Sequence, residues 1–157
     1  MTPSLMTQLA RGAAAGAAGT TALNAATYLD MTWRGRPASQ TPERTVDAIA
    51  SSLGVRVPGD EDTRPARRSA LGALSGIGAG IGTGVALGLL RGRHPQPSRA
   101  RSLGTAFALV MVAGNAPMTV LGVTDPRTWS ATDWAADVLP HLAYAVVAAT
   151  TLDALDA

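Results

Sequence analysis

The chain has 157 residues, 13 basic and 11 acidic, a formal charge of +2 and no cysteine. Charged residues make up 15% of it, against roughly 25% in ordinary soluble domains. The missing cysteines exclude a disulfide framework, a thiolate metal site and a cysteine nucleophile. Every basic residue is arginine, the net charge is small and no basic stripe alternates with aromatics, so nucleic acid is not an expected partner. Without lysine there is also no phosphate loop of the Gly-rich, Lys-ending kind.

Four segments approach the ~20 apolar residues needed to cross a bilayer. The first, Leu9 to Leu29, is weak, because Gly12 to Ala22 holds only alanine, glycine and threonine. It lacks the leucine-rich centre of a signal peptide, so a span is the expected reading. A polar loop from Asp30 to Ser69 follows. Within it Gln40 or Thr41 can cap a short helix with Pro42 in its first turn. Val46, Ile49, Ala50 and Leu53 share one face of that helix, opposite Arg44 and Asp47, and predict an amphipathic element lying on the membrane or against the bundle.

The second span, Ala70 to Leu90, carries Gly72, Gly76, Gly80, Gly84 and Gly88 at an unbroken four-residue interval. Glycine in a soluble helix costs about 1 kcal/mol relative to alanine. In lipid the backbone must satisfy its own hydrogen bonds, and small residues let a second helix approach closely. From Gly72 to Gly88 this ridge covers roughly 24 Å of helix. Gly12 and Gly16 repeat the spacing in the first span, which makes that span the expected partner, with a homo-oligomeric seam as the alternative.

A loop of four arginines, His94 and two prolines leads to the third span, Leu103 to Val123. The turn Thr124-Asp125-Pro126-Arg127 follows, and Ser130 with Asp133 forms a capping pair. A short interfacial segment is then expected to bend at Pro140 into the fourth span, Val138 to Leu155. Four crossings put Trp33, Trp129 and Trp134 on one membrane face, as an interfacial belt. Arginine counts on the two faces conflict. The dense, acid-free second loop favours both termini in the cytoplasm.

Polar residues at membrane depth are functional candidates by default. Asn24 in the first span, Asn115 beside Pro117 in the third, and Asp137 and His141 on the fourth are therefore the candidate lining of a polar cavity. At i and i+4, Asp137 can orient the His141 ring, but two ligands do not make a metal site. No metal or cofactor is expected.

The run from Asn115 to Ser130, with Asp133-Trp134, Pro140-His141 and Arg34-Gly35-Arg36-Pro37-Ala38-Ser39, resembles small multi-pass membrane proteins of actinobacteria. The glycine-rich first span and the proline-led loop helix are more loosely similar to YagU-like bacterial inner-membrane proteins. Both resemblances imply a multi-pass fold and neither implies an activity, so no catalytic or binding residue is carried across.

The expectation is an all-α polytopic membrane protein, one domain over residues 1–157, folded as a four-transmembrane-helix bundle with glycine-zipper packing. Its expected role is an accessory or structural subunit or small homo-oligomer in the cell membrane, with the bilayer, copies of itself or a larger membrane complex as partners. A small transporter or channel component is the alternative reading, and a membrane enzyme acting on a lipid-borne substrate is the third.

Overall fold

The computed structural model describes residues 3–93 and 98–156, and His94 and its flanking prolines lie outside them. Among the described residues there are five α-helices, one turn of 3-10 helix and no strand. The helices are α1 (Leu5–Arg34), α2 (Thr41–Ser52), α3 (Thr63–Arg93), α4 (Arg99–Val120) and α5 (Ala131–Asp156), with the 3-10 turn at Pro126–Thr128. Three of them, α3, α4 and α5, are long and apolar enough to cross a membrane. α1 has the length, but its alanine and glycine content keeps it out of that group.

Local signals account for most of the boundaries. Ser4 and Ser98 accept hydrogen bonds from Thr7 and Arg101 backbone N–H groups, satisfying donors that a helix start leaves open. Asp60 accepts from the Thr63 N–H and hydroxyl at the start of α3. Ser130 and Asp133 cap α5 reciprocally: the Ser130 N–H donates to the carboxylate and the Asp133 N–H to the Ser130 hydroxyl. Gly35, at φ +62°, ends α1 in the left-handed conformation that glycine adopts without strain.

Two expected boundaries shift. The third apolar run reaches Val123, but α4 stops at Val120, where Leu121 to Val123 turn back onto the Pro117, Met118 and Thr119 carbonyls. The expected interfacial segment and fourth span are one helix, α5, with Pro140 inside it. Pro140 is buried within this helix, where it leaves the Ala136 carbonyl without its backbone donor.

The four long helices form a ring in which α1 packs on α3 and α5, α5 on α4, and α4 on α3. Neighbours run antiparallel along α1 and α5: Arg11 pairs with Asp156 at one end, and Gly19 lies against Tyr144 and Ala148 further along. The core is small-grained. Ala15, Ala106, Ala145, Ala148 and Ala149 are buried with Leu87, Val110, Tyr144 and Leu152, while Leu71, Leu74, Ile77, Val112, Leu139, Leu142 and Val146 are exposed. Hydroxyls buried among them bond within their own helices, Thr20 to the Gly16 carbonyl and Thr83 to that of Ala79.

α2 packs on the first turns of α3, yet not through its apolar face. Pro42 lies against Gly72 and Thr45 is buried, Asp47 pairs with Arg68, and Ile49 and Leu53 stay exposed. The pairings Pro42 with Gly72 and Asp47 with Arg68 run in opposite senses along the two helices, so α2 follows α3 away from its apolar segment.

The five-glycine ridge does not serve one partner. A Cβ on Gly72 would meet Pro42 of α2 at 2.9 Å, and one on Gly76 would meet nothing. Gly80, Gly84 and Gly88 face α1: a Cβ on Gly12 would lie 2.6 Å from the Gly84 carbonyl oxygen, and one on Gly88 would lie 2.7 Å from that of Gln8. The cause is helical geometry. Four residues turn a helix by about 400°, so the ridge rotates about 40° per glycine and roughly 160° from end to end. A straight partner cannot follow it.

Candidate functional site

Of the four residues expected to share a polar cavity, three meet between α4 and α5. Asp137 stands nearly two turns inside the capped start of α5, and His141 one turn further on the same face. The Asn115 side-chain amide of α4 donates to Asp137 Oδ2 at 3.0 Å. His141 Nδ1 lies 2.7 Å from the Asp137 carbonyl oxygen and 3.5 Å from Asp137 Oδ1. A carbonyl oxygen only accepts, so Nδ1 carries the proton and Nε2 is the free nitrogen. Nε2 lies over Gly114, where an added Cβ would approach it to 2.8 Å. Asn115 Oδ1 is buried with no hydrogen-bond partner.

Asn24 does not join this group. It is exposed on α1, on a face the neighbouring helices leave open. Nor do His141 and Asp137 find further ligands, since among the described residues no three of His, Cys, Asp or Glu are grouped to hold a metal ion. What the cluster can do is limited and definite: it holds a carboxylate with an amide donor, orients an imidazole, and leaves one ring nitrogen and one amide oxygen uncommitted.

Two polar groups escaped the sequence reading. Tyr144 is fully buried, and its hydroxyl donates to the Gly80 carbonyl of α3 at 2.6 Å. Its ring fills the space left by Gly19, where a Cβ would come within 2.8 Å of it, so α1, α3 and α5 meet at this one side chain. Its position seven residues after Asp137 and three after His141 was the available signal, because these spacings share a helix face.

The second is a charged fastening at the opposite end. Arg91 of α3 pairs with Asp153 and, at 2.9 Å, with Asp156 of α5, and it donates to the Ser102 hydroxyl of α4 at 3.1 Å. Arg11 of α1 reaches Asp156 at 2.8 Å. All four long helices are tied there. In sequence these groups read only as charges flanking apolar runs.

At the α2 end the ionic contacts other than Asp47–Arg68 are local in sequence. Arg34 and Arg36 hold the Asp30 carboxyl below the usual carboxylate range, and Arg127 does the same to Asp125. Hydrogen bonds from Ser130 lower Asp133, which also feels the charge of Arg34. Trp129 and Trp134 stack edge to face at 5.0 Å, and Trp33 is 91% exposed near the end of α1. No protein-family model matches the chain, and no curated protein or solved structure is matched either.

Proposed function

We propose that this chain is an integral protein of the cytoplasmic membrane, a four-span bundle that serves as an accessory or structural subunit or as a small homo-oligomer. The observation that carries the reading is the inverted distribution of side chains. Alanine, glycine and threonine make up most of the interior around Leu87, Val110, Tyr144 and Leu152, while further leucine, isoleucine and valine residues lie on the outside of α3, α4 and α5. Water would make that arrangement unstable, whereas lipid solvates the large aliphatics and rewards close contact between small ones.

α1 is the fourth span in this proposal. Too poor in large apolar residues to recommend itself to a bilayer alone, it packs between α3 and α5, and Gly12 and Gly16 meet Gly80, Gly84 and Gly88 in zipper fashion. The first turns of α1 and the last turn of α5 meet through Arg11 and Asp156, with Arg91 of α3 beside them, and the acid-free arginine loop that follows α3 favours the cytoplasm for this end. Non-enzymatic action is supported by how the polar groups outside the Asn115–Asp137–His141 cluster are engaged: Asn24 faces outward, Tyr144 is committed to a backbone carbonyl, and Thr20 and Thr83 bond within their helices.

Mass measurement of the protein in native nanodiscs tests this. A discrete homo-oligomer, or a single copy held within a larger complex, is the expected result. Recovery of a monodisperse protein from the aqueous fraction, without detergent or lipid, would contradict it.

A further inference from the structure

The arginines at the two ends of the bundle are disposed differently. At the α2 end Arg34 and Arg36 pair with Asp30, Arg68 with Asp47 and Arg127 with Asp125. At the opposite end the acids of α5, Asp153 and Asp156, are taken up by Arg91 and Arg11. Arg93, Arg99 and Arg101 remain there, all exposed, and none of them pairs with an acid among the described residues. No acidic residue occurs between Asp62 and Asp125, so neither α3 nor α4 supplies a counter-charge.

One contact fixes where these three stand. Arg91 donates to the Ser102 hydroxyl at 3.1 Å and so pins the end of α3 to the start of α4. Arg93 follows that contact by two residues on α3, and Arg101 and Arg99 precede it by one and three on α4, so all three lie within a helical turn of it. The apolar run of α3, Ala70 to Leu90, ends immediately before Arg91. The cluster therefore stands at the edge of the hydrocarbon, where phospholipid phosphates lie. Below it, Gly104, Ala108 and Val112 continue the face of α4 that Arg101 heads, at three, seven and eleven residues further on, and all are exposed. A Cβ added at Gly104 would meet nothing within 4 Å.

We infer that the α3–α4 corner binds an anionic phospholipid, its phosphate held by Arg93, Arg99 and Arg101 and an acyl chain lying along Gly104, Ala108 and Val112. The inference rests on the reading of the chain as a membrane bundle. Guanidinium groups offer phosphate oxygens paired N–H donors in matching geometry. Water and salt screen exposed arginines and leave them a weak hold on a dissolved anion. A bilayer instead keeps lipid phosphate at this depth at high local concentration, and anionic lipid attracts basic segments to the cytoplasmic face, the side assigned to this corner. A lipid, rather than free phosphate, is the occupant these charges fit.

Native mass spectrometry of the full chain released from nanodiscs of mixed phosphatidylglycerol and phosphatidylcholine tests the site. The unsubstituted protein is expected to retain phosphatidylglycerol in preference to phosphatidylcholine. Each of Arg93→Gln, Arg99→Gln and Arg101→Gln should lower that preference about fivefold, the weight of one basic residue near an anionic surface. Arg44→Gln combined with Arg56→Gln, which removes two exposed arginines from the α2 end, should leave it unchanged. The proposal is overturned by equal retention of the two lipids, by a preference that survives all three corner substitutions together, or by one lost equally in the α2-end control. Displacement of the lipid by millimolar inorganic phosphate would assign the corner to a dissolved anion and overturn it too. A chain that enters the nanodiscs without lipid preference overturns this inference alone, whereas one that stays outside them overturns the membrane reading with it.

Discussion

The α1–α3 seam and the contacts of α5 hold the same bundle by opposite means. Along α1 and α3, helix meets helix through what the residues lack: Gly12 and Gly16 lie so close to Gly80, Gly84 and Ile81 that no Cβ fits between the backbones. α5 is held through what its residues carry, the Tyr144 hydroxyl on α3, the Asp137 carboxylate on α4, and Asp153 and Asp156 on arginines of α3 and α1. The first kind of seam is destabilised by any added volume. The second has no tolerance for an unpaired partner, yet it accepts isosteric change at modest cost.

That contrast orders the expected effects of substitution. Gly84→Leu should abolish the folded bundle, seen as loss of a monodisperse peak in detergent, because the side chain would have to pass through the α1 backbone at Gly12 and Gly16. Gly16→Ala should fold but lose about 1–3 kcal/mol, the usual range for overpacking. Arg91→Met leaves Asp153 and Asp156 without their shared partner. Its cost should be about 2 kcal/mol in chemical unfolding, below the 3–5 kcal/mol of a fully buried pair because the aspartates are partly solvated. Tyr144→Phe keeps the ring over Gly19 and removes one interhelical hydrogen bond, for about 0.6–1.7 kcal/mol. Gly76→Ala sharpens the comparison by reversing the sign. Nothing lies within 4 Å of the added carbon, so helix propensity should make it neutral or stabilising by up to about 1 kcal/mol.

The smallest effect is one of pH at the α2 end. Asp30, Asp60, Asp125 and Asp133 all have carboxyls held below their ordinary value of 3.8. Depressed folded values contribute stability above the unfolded value and lose it as pH falls through the folded one. Acid below about pH 4 should therefore loosen this end first, read as faster amide exchange at the starts of α3 and α5.

Much of this was legible from residue spacing. The three long apolar helices α3, α4 and α5, the loop helix led by Pro42 and the Ser130–Asp133 cap follow from patterns local to one helix. So did the meeting of Asp137 and His141, which needs only an i, i+4 interval. What the sequence hid depends on rotation and register between helices. Five evenly spaced glycines suggested one long groove, but their drift around α3 divides them among α2, open surface and α1. The outward turn of Ile49 and Leu53 depends on the Asp47–Arg68 pair, which fixes α2 by its polar side. Asn24 and Asn115 read alike in sequence, and only packing separates an exposed amide from a buried one.

The central claim is that α1 crosses the membrane with the other three long helices, despite its composition. Because the chain has no cysteine, single cysteines can report it: Ser4→Cys before α1 and Ser39→Cys after it, probed with a membrane-impermeant thiol reagent in sealed vesicles. The account predicts labelling from opposite sides, with Ser4 cytoplasmic. Labelling of both positions from the same side would contradict it.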